Sequence, residues 1–159
     1  MEFTELNLDE RLLKGIEAAG YVSCTPVQEQ VIKASKKDDE NAKEPDLYVQ
    51  SQTGTGKTAA YLVAVINAML AEKNVGKKCL VLVPTRELAV QVEEEAKVLV
   101  GDSGLKAFSV YGGVGYEKQI DNLKAKGVDL VWIDTHANCS ERCQAFQGKL
   151  YSISGGSGT

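Results

Sequence analysis

Apolar positions recur at helical spacing in LDERLLKGIEAA (8–19), where Leu8, Leu12, Leu13 and Ile16 fall on one face. Asn7 is the expected N-cap of this helix and Gly20 its stop. A second helix is expected to run from Thr25-Pro26, read as N-cap and first helical residue, to about Lys36. The following run KKDDENAKEPD (36–46) has no apolar anchor and reads as an exposed connection. From Leu47 the pattern alternates. Strands are expected at LYVQS (47–51), CLVLVP (79–84), KAFSVYG (106–112) and VDLVWI (128–133). Between them lie the helical patterns GKTAAYLVAVINAMLAEK (56–73), RELAVQVEEEAKVLV (86–100) and YEKQIDNLKAK (116–126). Strands joined by helical crossovers make an α/β domain with a parallel sheet covered by helices, and ligands in such folds gather at the carboxyl ends of the strands. Beyond about Asn138 the alternation fails, and SISGGSGT (152–159) is flexible by composition. The chain thus divides into a helical region (1–36), a charged connection (37–46), an α/β unit (47–133) and a tail expected to be irregular (134–159).

A length of 159 residues, 43% apolar and 25% charged, suits one globular domain with a single core. The net charge of −4 is unevenly placed, with 6 basic against 11 acidic side chains in residues 1–46 and 12 against 11 in the remainder. No broad basic face follows from this, so any nucleic acid would have to be held by a few placed groups. MEFTELNLDE lacks the positive start and apolar run of a signal peptide, and no apolar run is long enough to span a bilayer. A cytosolic or nuclear protein without a membrane partner is expected. Cys24, Cys79, Cys139 and Cys143 show no paired framework, which suits a reducing compartment. His136, Cys139 and Cys143 form an H-x2-C-x3-C cluster. It supplies three zinc ligands without a fourth, so unpaired thiols are the simpler reading.

SQTGTGKT (51–58) follows an expected strand and opens an expected helix, the context that a phosphate-binding P-loop requires. Gly54 and Gly56 allow a tight turn and close approach of backbone N–H groups to phosphate, Lys57 brings a point charge, and the Thr58 hydroxyl suits Mg²⁺. Ser51 stands where the general pattern has its first glycine. The competing reading is a glycine-containing turn between strand and helix. A P-loop by itself does not separate kinases, GTPases and motor ATPases.

The flanking motifs do separate them. GYVSCTPVQ (20–28), with Phe3 ahead of the first helix, SQTGTGKT, PTRELA (84–89) and YGG (111–113) occur in series. Together they resemble the N-terminal part of a DEAD-box RNA helicase core, over about residues 1–131. The resemblance implies a P-loop NTPase fold: part of a RecA-like parallel sheet flanked by helices. It implies ATP and Mg²⁺ as cofactors, RNA backbone as partner, and RNA-dependent ATP hydrolysis coupled to duplex separation as the family activity. It also implies that Gln28 reads the adenine edge, since a side-chain amide both donates and accepts. Phe3 is similar to an aromatic that packs on the base, while Gly20, Tyr21, Thr25 and Pro26 set the loop and helix that carry Gln28. Ordinary core packing is the alternative for Phe3 and Tyr21. Ser51, Gln52, Thr53, Gly54, Thr55, Gly56, Lys57 and Thr58 would bind the nucleotide, with Lys57 and Thr58 also in catalytic roles. Cys24 stands where the family usually has proline, and Ser51 where it usually has alanine.

Pro84, Thr85 and Arg86 resemble the family's first RNA-contacting motif, and Gly112 and Gly113 a double glycine that lets RNA approach closely. A helix cap and a bare turn are the respective alternatives. Glu87 is expected to support its own helix. The strand VDLVWI should lead into Thr-Pro-Gly-Arg and the next strand should end in Asp-Glu-Ala-Asp; the sequence instead reads DTHANCSERCQAFQGKL (134–150), and Ser-Ala-Thr and a second RecA-like lobe are also absent from it. Asp134 follows four apolar residues, as a metal-bearing acid would, but lies one strand early in the family order and has no Glu after it. Two further functions compete: a non-enzymatic module that holds ATP or ADP and RNA, and another P-loop enzyme such as a small nucleotide kinase.

Overall fold

The computed structural model describes residues 1–36, 46–52, 54–74, 78–83, 85–110, 129–134 and 152–154. Strands β1 (Cys79–Val83), β2 (Ala107–Val110), β3 (Leu130–Asp134) and β4 (Ser152–Ser154) form one sheet in the order β2-β3-β1-β4. All three pairings are parallel. Helices α1 (Glu10–Ala18), α2 (Pro26–Ser35), α3 (Lys57–Leu70) and α4 (Arg86–Val100) accompany it, with short 3-10 turns at Phe3–Leu6 and Glu72–Asn74.

β1 is apolar at every position and almost entirely buried, as a strand with neighbours on both sides should be. The register places Val83 opposite Asp134, Val110 opposite Ile133 and Leu82 opposite Ser154. The strands therefore share one carboxyl edge. Helix α4 leaves β1 through Thr85 at that edge, and β2 ends there two residues before Gly112.

The core joins Leu12 and Ile16 of α1, Ile32 of α2, Leu62, Val63 and Ile66 of α3, Val81 and Val83 of β1, and Val92 and Leu99 of α4. Helix α3 buries Ala59, Ala60, Leu62, Val63, Ile66, Met69 and Leu70, which explains why its sequence is apolar nearly all round. Beside the core, Ser109 of β2 donates to the Glu93 carboxylate of α4, and Glu93 also pairs with Lys97 at 2.6 Å. That buried hydroxyl fixes β2 against α4.

Several expectations need correction. Asp9, not Asn7, caps α1, its carboxylate accepting from Arg11 N–H at 2.9 Å. Asn7 instead takes a left-handed conformation (φ 52°) to close the first 3-10 turn, whose Leu6 and Asn7 carbonyls accept from the Lys36 ammonium. Gly20 does end α1 at φ +81°, with Tyr21 N–H bonded back to Ile16 O at 3.1 Å. Residues 47–51 form no strand. Leu47, Tyr48 and Val49 are 44%, 92% and 42% exposed, and strand propensity without a neighbouring ladder does not make a strand. The tail, expected to be irregular, supplies β4, whose backbone covers the otherwise open edge of β1. Residues 37–45, most of the charged connection, and the expected helix at 116–126 lie outside the described residues.

Helices α1 and α4 meet at Gly15, where an added Cβ would lie 2.0 Å from the Leu99 carbonyl oxygen. A backbone atom cannot swing aside as a side-chain tip can. Gly15→Ala should therefore destabilise the chain by about 1–3 kcal/mol in spite of alanine's better helix propensity. A lowered thermal midpoint in circular dichroism is the expected result, and an unchanged or raised midpoint would contradict this packing.

Candidate nucleotide-phosphate site

The loop before α3 contains two left-handed glycines, Gly54 (φ +81°) and Gly56 (φ +82°). Gly56 is the N-cap of α3 and brings no side-chain cap, so the first amides of that helix keep their hydrogen-bonding capacity at its positive end. Uncapped N–H groups at a glycine turn suit an anionic group such as phosphate. Lys57 opens the helix and Thr58 follows, both half-buried. Thr53 lies outside the described residues.

The loop is bonded to itself. Lys57 Nζ donates to the Ser51 carbonyl at 2.6 Å, and Thr55 Oγ1 donates to the Gln52 carbonyl at 2.7 Å. Ser51 Oγ and Thr55 Oγ1 are 2.7 Å apart. Because the one Thr55 hydroxyl proton serves Gln52, Ser51 is the donor in that pair.

Helix α2 is attached to the same loop. Thr25 and Gln28 form a reciprocal capping box: Gln28 N–H reaches Thr25 Oγ1 at 3.3 Å, and Thr25 N–H reaches Gln28 Oε1 at 2.9 Å. Both side chains then extend to the loop, Thr25 Oγ1 donating to Thr55 O at 2.8 Å and Gln28 Nε2 to Gly56 O at 3.3 Å. Gln28 is only 4% exposed, and a Cβ at position 56 would lie 2.4 Å from its Nε2. Glycine at 56 is thus required by its left-handed φ and by its neighbour alike. The spacing T-x-x-Q already signalled the capping box; the bond from Thr25 to the loop had no local sequence signal.

Phe3 is buried in the core, its ring 6.3 Å from that of half-buried Tyr21. Its surroundings are those of a packing residue, the alternative raised for it from sequence. Burial and the nearby Glu95 charge push the Tyr21 phenol up, and burial pushes the Glu95 carboxyl up against an opposing hydrogen bond to Gln91. Glu95, on α4, was not singled out in the sequence because its chemistry depends on the packing of α1 on α4.

Thr85 and Arg86 are exposed where α4 leaves the carboxyl edge, and Thr85 Oγ1 caps the helix by accepting from Leu88 N–H at 3.2 Å. Glu87 sits in the same first turn. Pro84, Gly112 and Gly113 lie outside the described residues, as do His136, Cys139 and Cys143. Asp134 ends β3 at the same edge. Among the described residues no group of three or more His, Cys, Asp or Glu could hold a metal ion. Cys79 is a core residue whose thiol burial pushes up to about 12, and burial raises Cys24 as well. No described helix is long and apolar enough to cross a membrane.

The sequence profile of the DEAD/DEAH box helicases matches residues 25–147, from the Thr25 cap through the loop and all of β1, β2 and β3. The chain belongs to the DEAD/DEAH box helicase family. Among its relatives, the ATP-dependent RNA helicase RhlB of Aliivibrio salmonicida is 37% identical over 136 residues, 82% of this chain and 30% of that protein. The RhlB protein of Xanthomonas axonopodis pv. citri is 39% identical over 135 residues, 81% of this chain and 22% of that protein. A crystal structure of a hypothetical ATP-dependent RNA helicase from Sulfolobus tokodaii superimposes with a TM-score of 0.62 at 30% identity, covering 80% of this chain and 34% of that one. The chain thus spans less than a third of the length of these curated relatives. The family match sets aside the small nucleotide kinase.

The bond from Gln28 Nε2 to Gly56 O yields a direct test of the coupling between α2 and this loop. Gln28→Glu keeps an acceptor for Thr25 N–H but turns a carboxylate oxygen toward the Gly56 carbonyl in a buried position. Burial raises the pKa of such a carboxyl, so the variant should be destabilised by about 1–3 kcal/mol at neutral pH. The loss should shrink as the pH falls through the raised pKa and the neutral acid can donate to Gly56 O. Denaturant midpoints against pH check this, and a loss that grows on acidification relative to the parent would contradict it.

Proposed function

We propose that the chain is the nucleotide-binding part of an RNA helicase that couples ATP hydrolysis to the separation or remodelling of RNA duplexes. The observation that carries this reading is the direct bonding of Thr25 and Gln28 to the phosphate loop in a member of this family. ATP or ADP places its phosphates on the amides of Gly54 to Thr58 and on Lys57. The Thr58 hydroxyl would hold Mg²⁺, which would supply charge neutralisation to those phosphates.

Gln28 uses one Nε2 proton on Gly56 and one Oε1 lone pair on Thr25. One of each remains, which is the complement that an adenine edge requires. Tyr21 is proposed to flank the base, and Phe3 to act through its packing on Tyr21. Ser51, Gln52, Thr53 and Thr55 shape the loop rather than carry charge.

RNA backbone is the second ligand. Arg86 and the amides at the start of α4 are exposed at the carboxyl edge, with Pro84, Thr85, Gly112 and Gly113 completing the contact. These groups face sugar and phosphate, so the proposed grip does not depend on base sequence. ATP and RNA both place the protein inside the cell.

Hydrolysis needs a placed carboxylate and water-orienting partner beyond the groups on this loop. Asp-Glu-Ala-Asp and Ser-Ala-Thr do not occur in the 159 residues, so binding without turnover is the behaviour expected when these residues are tested alone. Titration with ADP and Mg²⁺ by calorimetry should show binding that Lys57→Ala weakens by roughly 10- to 100-fold, the worth of a hydrogen bond to a charged group. Equal affinities for parent and variant would overturn the phosphate assignment. RNA should not stimulate phosphate release from ATP by this chain; a stimulated rate abolished by Lys57→Ala would show that catalysis needs fewer groups than proposed.

A further inference from the structure

Resting on the nucleotide-site reading above, we infer that Ser51 is a positioning residue that sets nucleotide affinity: its hydroxyl, bonded to Thr55, holds the phosphate loop in the self-bonded conformation. Three bonds define that conformation. Ser51 Oγ donates to Thr55 Oγ1 at 2.7 Å, Thr55 Oγ1 donates to Gln52 O at 2.7 Å, and Lys57 Nζ donates to Ser51 O at 2.6 Å. The Ser51 side chain therefore ties down the residue whose own carbonyl takes the lysine.

A phosphate on the α3 amides needs the Lys57 ammonium turned toward it. The ammonium has three N–H donors but one short contact to Ser51 O, and turning it toward a phosphate draws it off that carbonyl, so the two conformations compete. Any interaction present only in the self-bonded form lowers apparent affinity by the fraction of molecules it withdraws. The latch consists in the hydroxyl pair belonging to the form in which Ser51 O holds the lysine and giving way when the lysine turns to phosphate. It adds nothing to the attachment of the loop to α2, because Thr25 and Gln28 bond the carbonyls of Thr55 and Gly56 and not the Ser51 or Thr55 hydroxyls. Alanine at 51 thus removes the latch and leaves that attachment in place.

One hydrogen bond of this kind corresponds to about a three- to tenfold change in an equilibrium. Calorimetric titration of the 159-residue chain with ADP and Mg²⁺ should therefore show Ser51→Ala binding about three- to tenfold more tightly than the parent. In a Thr55→Val background the hydroxyl partner is already gone, and Ser51→Ala should change affinity by less than about twofold. A purely structural loss at Ser51 would weaken binding and would be indifferent to residue 55. Measurable binding with equal or weaker affinity for Ser51→Ala, or the same gain in both backgrounds, overturns the latch and leaves the nucleotide site standing. If neither the parent nor any of the three variants binds ADP, the nucleotide-site reading itself falls, and the latch with it.

Discussion

The carbonyl oxygens of Thr55 and Gly56 are the points on which the candidate site depends. Each takes a hydrogen bond from the first turn of α2, from Thr25 Oγ1 and Gln28 Nε2 respectively. The same two side chains cap that helix, so the end of α2 and the phosphate loop share one small network. A left-handed glycine at 56 brings the loop backbone against Gln28 without an intervening Cβ. Once the loop is placed, α3 is aimed, and its uncapped N-terminus follows.

The sheet supplies the second constraint. Parallel pairing brings the ends of β1, β2 and β3 to one edge, with β3 lying between β1 and β2. Glu93 on α4, bonded to Ser109 on β2, locks that arrangement from behind. Among the described residues, the candidate phosphate loop is tied to this edge through packed helices. Residues 47–51, the segment that leads into the loop, have no place in the described sheet. The loop's position therefore rests on α2 and α3 rather than on a strand beneath it, which makes the bonds from Thr25 and Gln28 more consequential.

Most of this was legible in the residues. The limits of α4 are those its apolar periodicity indicates, since Ala89, Val92, Ala96, Leu99 and Val100 form a continuous buried stripe between a Thr85 cap and Gly101. Helix α2 was visible through its cap and proline, and β1 through an unbroken apolar run. Failures occurred where a local pattern depended on a distant partner. Residues 47–51 have strand composition but no ladder beside them among the described residues. Ser152–Ser154 has tail composition yet pairs with β1. Asn7 has cap chemistry, but Asp9 wins because Asn67 of α3 also takes its backbone N–H at 2.9 Å. At the site, the residues of SQTGTGKT could be named from spacing and context, and Thr25 and Gln28 as functional residues through the resemblance to the helicases. Their mutual bonding could not, because a reach of 30 residues between Thr25 and Thr55 leaves no mark on either neighbourhood.

The most direct measurement of the central claim is amide hydrogen exchange of the chain with and without ADP and Mg²⁺, resolved over residues 25–32 and 54–60. Loop and helix joined through Thr25 and Gln28 should gain protection together, at matching nucleotide concentrations, because ordering one end of the network orders the other. Protection confined to 54–60, with 25–32 exchanging as before, would show that α2 and the phosphate loop are not one unit, and the account built on their bonding would fail.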